Sequence, residues 1–263
     1  MDRTIQVAGV ANGTIDDGTF IPVAQTIVSE ERIVGCELLI RWQRASGELM
    51  MPAQFLSMAA DAGLMSTING IMLEHAVRFA ARFNNRPSAP FVSVNITASY
   101  LGEAYFCDRV ASLLRDLRVD PQRLMIEITE TEQLVGYSQW ESAADELRRM
   151  GVRLAIDDFG TGYSSIERLQ NLPITHLKFD QSMVKLVAGP FGQIARGVAG
   201  FAQATNIHVV AEGIETLDQL ESMRALDITL FQGYYFHHPE GLDAVEIRIL
   251  EDELSESGRF RLA

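Results

Sequence analysis

R-L-A-I-D-D-F-G-T-G-Y-S-S, residues 153–165, is the stretch on which the fold turns. Leu154, Ala155 and Ile156 form a short apolar run suited to a buried strand, and Asp157 and Asp158 follow directly, ahead of a glycine-bearing loop. A strand that ends in paired acids aims them at a metal or at a proton in transit. The alternative is a solvated turn in which Asp158 caps the next helix. The first reading gains weight because other strands along the chain end in the same way.

Upstream, residues 20–28 (F-I-P-V-A-Q-T-I-V) and 32–42 read as two strands separated by Ser29, Glu30 and Glu31. So short a link cannot carry a parallel crossover, which needs about a dozen residues, so the two strands form a hairpin and one strand runs antiparallel to its neighbour. Alternation puts Cys36, Leu38 and Ile40 on one face of the second strand and Glu37, Leu39 and Arg41 on the other. Further strands are expected over 91–94, 124–128, 153–157, 175–179, 207–211 and 229–231. Helices are expected over 52–62, with Pro52 in the first turn and Gly63 as the stop, and over 68–83 and 100–117. Others run from a capping box at Ser138 and Glu141 to Gly151, from Ser164 or Ser165 to about Asn171, over 193–204, and from a capping box at Thr216 and Gln219 to about Leu226. Residues 1–19 read as a lead-in with a helical turn, 20–250 as the body, and 251–263 as an acidic, frayed tail after a final helix.

Eight strands, six of them parallel and helix-separated after the hairpin, favour an α/β closed barrel over a doubly wound open sheet. The chain has 263 residues, 47% of them hydrophobic and 22% charged, an ordinary globular composition that one barrel accommodates. A net charge of −13 disfavours non-specific contact with nucleic acid or anionic lipid, so a phosphate ligand needs local positive charge. Two separated cysteines, Cys36 and Cys107, suggest reduced thiols and a cytoplasmic setting, either alone or as the cytoplasmic part of a larger protein. No apolar run suggests a membrane span or a signal peptide.

Asn95, Glu127, Asp157, Asp158, Lys178, Glu212 and Gln232 lie at or near the C-terminal ends of successive strands. A barrel gathers those ends at one mouth. With Glu37, that crowds at least five carboxylates together, which raise one another's pKa unless cations intervene. An all-oxygen set with one amide suits magnesium or manganese, and adjacent aspartates allow two ions with one carboxylate bridging, the clamp used for displacement at phosphorus. Lys178 is a candidate for holding the attacking water or a phosphate oxygen, or else forms a salt bridge to a strand-end acid. His75, His176, His208, His237 and His238 show no zinc spacing and read as core or surface residues. D-F-G at 158–160 lacks the other kinase elements, and G-T-G at 160–162 is no dinucleotide fingerprint. Residues 159–165 are instead a lid candidate. Trp42, Met50 and Met51 read as barrel-to-helix packing.

From about Gly18 to Pro239 the chain resembles the EAL family of cyclic-di-GMP phosphodiesterases. The motif blocks are E-L-L (37–39), S-V-N (93–95), E-I-T-E (127–130), I-D-D-F-G-T-G-Y-S-S (156–165), L-K-F-D (177–180), A-E-G-I-E-T (211–216) and Q-G-Y (232–234). The resemblance implies a modified (β/α)8 TIM-like barrel with one antiparallel strand, in agreement with the hairpin. It implies hydrolysis of cyclic-di-GMP to linear pGpG with two Mg2+ or Mn2+ ions, inhibition by Ca2+, and a homodimer. It assigns Glu37, Asn95, Glu127 and Asp157 to one ion, and Asp157 and Asp158 to the second, with Glu212 near it as ligand or through water. Lys178 would orient the nucleophilic water, with Asp158 and Glu212 also at the reaction centre. Gln25, Leu39 and Arg41 match substrate-holding positions, Gln232 and Asp180 support the site and Gln232 also faces substrate, Glu130 anchors the glycine-bearing loop, and Glu215 is a further supporting acid. Three departures are mild: Leu38 for the middle alanine, Thr26 where proline often follows Gln25, and Phe179 for isoleucine. The rival readings are a degenerate module that senses the dinucleotide without cleaving it and a barrel metallohydrolase acting on another phosphate ester.

Overall fold

The computed structural model describes residues 6–7, 18–30, 32–86, 88–129, 137–159, 173–187 and 192–259. A two-residue strand, β1 (Gln6–Val7), pairs with the start of the long β2 (Gly18–Ser29), where a helical turn was expected. β2 and β3 (Arg32–Arg44) are antiparallel from Gly18 opposite Arg44 to Ser29 opposite Arg32, as so short a link requires. A short β4 (Leu49–Met50) extends this hairpin against Trp42.

The chain then winds through α1 (Pro52–Asp61), α2 (Met65–Ala81), β5 (Phe91–Asn95), α3 (Ala98–Leu101), α4 (Phe106–Leu117) and a 3-10 turn (Pro121–Arg123). There follow β6 (Leu124–Thr129), α5 (Tyr137–Met150), β7 (Arg153–Phe159), β8 (His176–Phe179), α6 (Gln181–Val187) and α7 (Gly192–Ala204). β9 (His208–Ala211), α8 (Leu217–Arg224), β10 (Leu230–Phe231), β11 (Glu240–Gly241) and α9 (Leu242–Arg259) complete it.

β3, β5, β6, β7, β8, β9 and β10 are joined edge to edge and all parallel. β2 closes the ring, antiparallel both to β3 and to β10. The result is an α/β closed barrel of eight strands, seven sharing one direction, since β3 joins the six parallel strands read from the sequence.

Strand alternation sorts the side chains into two environments. Inside the barrel, Ile27, Phe91, Met125, Ala155 and Val210 form a small apolar plug. Outside, Val92, Val94, Leu124, Ile126 and Leu154 pack against α2, α4 and α5, while Leu177, Phe179, Val209 and Ala211 pack against α6, α7 and α8. Each fully buried Leu, Ile or Phe contributes roughly 1.5–3 kcal/mol. Phe20, Trp42 and Phe55, with ring centroids 5.6–6.3 Å apart, fix α1 to the hairpin, as the packing reading of Trp42 anticipates.

Several boundaries differ from expectation. The helix expected over 100–117 is two, because Gly102 ends α3 after one turn capped by Thr97, and the chain restarts at Phe106. α6 was not anticipated, and α9 continues to Arg259, so most of the expected tail is helical. The helix expected from Ser164 or Ser165, the lid beyond Phe159 and the Ser138 cap lie outside the described residues or side chains. Among the described residues no helix is long and apolar enough to cross a membrane.

Candidate active site

Above the apolar plug, the next inward positions are polar. Gln25 on β2, Glu37 on β3, Glu127 on β6, Asp157 on β7 and Lys178 on β8 are all buried, and Gln232 after β10 joins them. Glu212 follows β9 by one residue. Register accounts for the convergence: Gln25 lies directly opposite Glu37, and Asn95 opposite Glu127. Parallel strands bring these C-terminal ends to one rim.

Lys178 is the centre of the cluster. Its Nζ lies 2.6 Å from Glu212 Oε1, 2.8 Å from Glu127 Oε2, 3.1 Å from Asp157 Oδ1 and 3.2 Å from Glu37 Oε2. This lysine thus forms the salt bridges of the second alternative, with its ammonium at the centre of the strand-end acids. Burial works against its charge, but the surrounding acids outweigh it and hold the ammonium well above the ordinary lysine range. Burial, reinforced by Glu37 and Asp157, pushes the Glu127 carboxyl well up despite Lys178. Glu37 goes the other way: Lys178 together with hydrogen bonds from Gln232 and Asn95 overcomes its burial and lowers its pKa. Asp158 is pushed up to about 6 by burial and by the charge of Asp157. Its backbone is left-handed, with φ 54°, at the irregularity where β7 slips against β8.

The carboxylates fall into two groups, Glu37–Glu127–Asp157 and Asp157–Asp158–Glu212. Within each, one oxygen per residue lies within 4.8 Å of the others, and Asp157 belongs to both. Five carboxylates against one ammonium leave four negative charges if all ionise, the amount two divalent cations would match. Glu127 Oε1 is buried and accepts no hydrogen bond among the described residues, so a donor position stands ready. The all-oxygen donor set fits magnesium, manganese or calcium.

Amides brace these acids. Asn95 Nδ2 donates to Glu37 Oε1 at 2.8 Å, and Gln232 Nε2 donates to Glu37 Oε2 at 2.8 Å. A cavity of about 750 Å³ opens beside the cluster, lined by Gln25, Leu39, Asn95, Asp158, Glu212 and Gln232 among others. Arg41 is buried, donates to Ile40 O at 2.8 Å and lies in the field of Tyr234 and Glu37.

Two supporting acids sit differently from the rest. Asp180 Oδ1 accepts from Ser182 N at 2.9 Å and Met183 N at 3.2 Å, capping α6, a helix signal the sequence reading passed over. Glu215 accepts from Gln181 Nε2 at 2.9 Å, tying α6 to the segment after β9. Glu130 lies outside the described residues. Sequence reasoning missed Asn69, whose amide donates to Thr97 Oγ1 and whose carbonyl accepts from Thr97 N, holding the turn after Asn95. A polar residue inside the apolar pattern of α2 was the available signal. It also missed the apolar wall of Leu56, Met65, Ile68 and Met72, and Tyr234 at the cavity's edge.

The sequence profile of the EAL domain matches residues 8–239. The chain belongs to the EAL domain family. Its similar EAL relatives include cyclic di-GMP phosphodiesterase PA2567 of Pseudomonas aeruginosa, 34% identical over 210 residues, covering 79% of this chain and 36% of that protein. Cyclic di-GMP phosphodiesterase NbdA of the same organism is 35% identical over 215 residues, covering 80% of this chain and 27% of that one. The chain thus spans about a third of the length of these relatives. Among solved structures, PaMucR phosphodiesterase in complex with c-di-GMP superposes with a TM-score of 0.80 at 28% identity, covering 86% of this chain and 94% of that one.

Proposed function

We propose that this EAL domain is a cyclic-di-GMP phosphodiesterase that hydrolyses one phosphodiester bond to give linear pGpG. The observation that carries the reading is the pair of carboxylate groups sharing Asp157 at the mouth of a cavity of about 750 Å³. That volume falls within the range of small-molecule sites, roughly 300–1,000 Å³. Relatives named cyclic di-GMP phosphodiesterases support the substrate.

In this account Glu37, Asn95, Glu127 and Asp157 would hold one Mg2+ or Mn2+ ion, and Asp157, Asp158 and Glu212 would hold the other. Such ions would supply positive charge against the phosphoryl oxygens and favour hydroxide over water. Formation of pGpG places the water oxygen on phosphorus, breaks the bond from phosphorus to the 3′ oxygen and leaves a proton on that departing oxygen. In this account Lys178 exchanges one of its salt bridges for the attacking water, which it orients, and Glu212, whose Oε1 lies 2.6 Å from Lys178 Nζ, takes up the water's other proton. Gln25, Leu39, Arg41 and Gln232 hold the dinucleotide, while Asp180, Glu130 and Glu215 support the surrounding loops. Residues 20–250 constitute the catalytic barrel. Inhibition by Ca2+, a homodimeric working form and a cytoplasmic setting rest on the family resemblance, the last also on two free buried thiols.

A metal-dependent hydrolysis assay with product analysis tests this, run against cyclic-di-AMP and an aryl phosphodiester. Glu37→Ala should reduce turnover of cyclic-di-GMP at least ~100-fold, on the scale of losing one transition-state donor. Cys107→Ala should stay near wild type, since the Cys107 thiol packs among the outer helices, 3.6 Å from Ala143 O and beside Glu146, away from the barrel mouth. Equal activity in both variants, or binding without turnover by the wild type, refutes the assignment.

A further inference from the structure

On its β10 side the register of β2 jumps from Val28 opposite Phe231 to Ala24 opposite Glu240. Segment 232–239 therefore leaves the sheet alongside Gln25, Thr26 and Ile27. His237 meets both polar side chains of that stretch. Its carbonyl accepts from Gln25 Nε2 at 2.8 Å, and its ring Nδ1 lies 2.7 Å from Thr26 Oγ1. Its own N–H donates to Gly233 O at 3.1 Å, so the backbone carrying that carbonyl is closed into a turn.

The consequence propagates by elimination. A carbonyl only accepts, so Gln25 must turn its NH2 toward His237 and its Oε1 toward Gln232. Gln232 Nε2 lies 3.2 Å from that oxygen and 2.8 Å from Glu37 Oε2, so its NH2 end faces the carboxylate. Thr26, Gln25, Gln232 and Glu37 are all buried, where a misdirected amide is not rescued by water. Reversing either amide would set an oxygen against Glu37 or against the His237 carbonyl.

We propose that Thr26 and His237 are positioning residues: a clasp that fixes the amide of Gln25 and, through Gln232, aims the Glu37 carboxylate at its cation. The proposal rests on the two-cation reading above. The hydroxyl belongs to this chain's own threonine, at a position where proline is common in the resembling family.

The test is calorimetric titration of the chain with manganese, for the wild type, Thr26→Val, Thr26→Ser, His237→Phe and the double variant Thr26→Val/His237→Phe. Urea unfolding of each runs in parallel. Loss of one hydrogen bond corresponds to about five-fold, so Thr26→Val should bind manganese about five-fold more weakly than wild type. Thr26→Ser should bind like the wild type, and the double variant should be no weaker than the weaker single one, as expected when two residues act through one contact. His237→Phe gives the same reading should the valine variant not fold. Unchanged manganese affinity in Thr26→Val, serine no better than valine, or multiplying effects in the double variant overturns the clasp. A wild type that binds no manganese overturns the two-cation reading itself, and with it this proposal.

Discussion

Replacing Lys178 with methionine would leave Glu37, Glu127, Asp157 and Glu212 facing one another without their shared ammonium. Removing one partner of a buried ion pair costs about 3–5 kcal/mol. In EDTA, Lys178→Met should therefore unfold at lower urea than wild type by an amount of that order, and manganese should restore more stability to the variant than to the wild type. Equal midpoints in EDTA would show that the lysine does not balance these acids. A second residue, His176, is buried low in the barrel, where burial and the nearby Arg153 push its pKa down to about 3. Its folded pKa is below the unfolded value of about 6.5, so its contribution is full above pH 6.5 and is lost as pH falls toward 3. Between pH 6.5 and 5 the wild type should lose about 2 kcal/mol more than His176→Asn in urea unfolding, and parallel losses would contradict it. The acids of the mouth were legible because alternation and strand ends are read directly from sequence. Tyr234 and the Thr26–His237 contact were not, because each depends on which distant segments the ring brings together, and Asn69 left only a polar interruption in an apolar helix.

At the scale of elements, the hairpin and the periodic helices were readable, since a three-residue link and long repeats leave few options. β1, β4 and β11 each have two residues, too few to show a period. The break between α3 and α4 is a capping decision at Thr97 and Gly102 rather than a change of pattern. The turn after β10 shows how an element places a site residue. A Cβ on Gly233 would stand 2.1 Å from the carbonyl oxygen of Ile214, and Gln232 O accepts from Ile214 N at 3.1 Å. Gly233→Ala must push these two segments apart, at a cost of about 1–3 kcal/mol, and move Gln232 away from Glu37. Urea unfolding and manganese titration should both report the loss. A variant with wild-type values in both would show that the close approach is dispensable.

For the whole molecule, closure of the ring is what turns scattered acids into a site. Glu37 and Glu212 are far apart in sequence, yet both lie within 3.2 Å of one ammonium because β2 joins β3 to β10. The apolar plug beneath them holds the strands at a fixed spacing, so the carboxylates cannot relax away from one another. That enforced crowding is the physical case for a pair of cations. Anomalous diffraction at the manganese edge, from crystals grown with the metal, tests it most directly. The account predicts two peaks flanking Asp157, one among Glu37 and Glu127 and the other beside Asp158 and Glu212. A barrel mouth without paired peaks at Asp157 would contradict it.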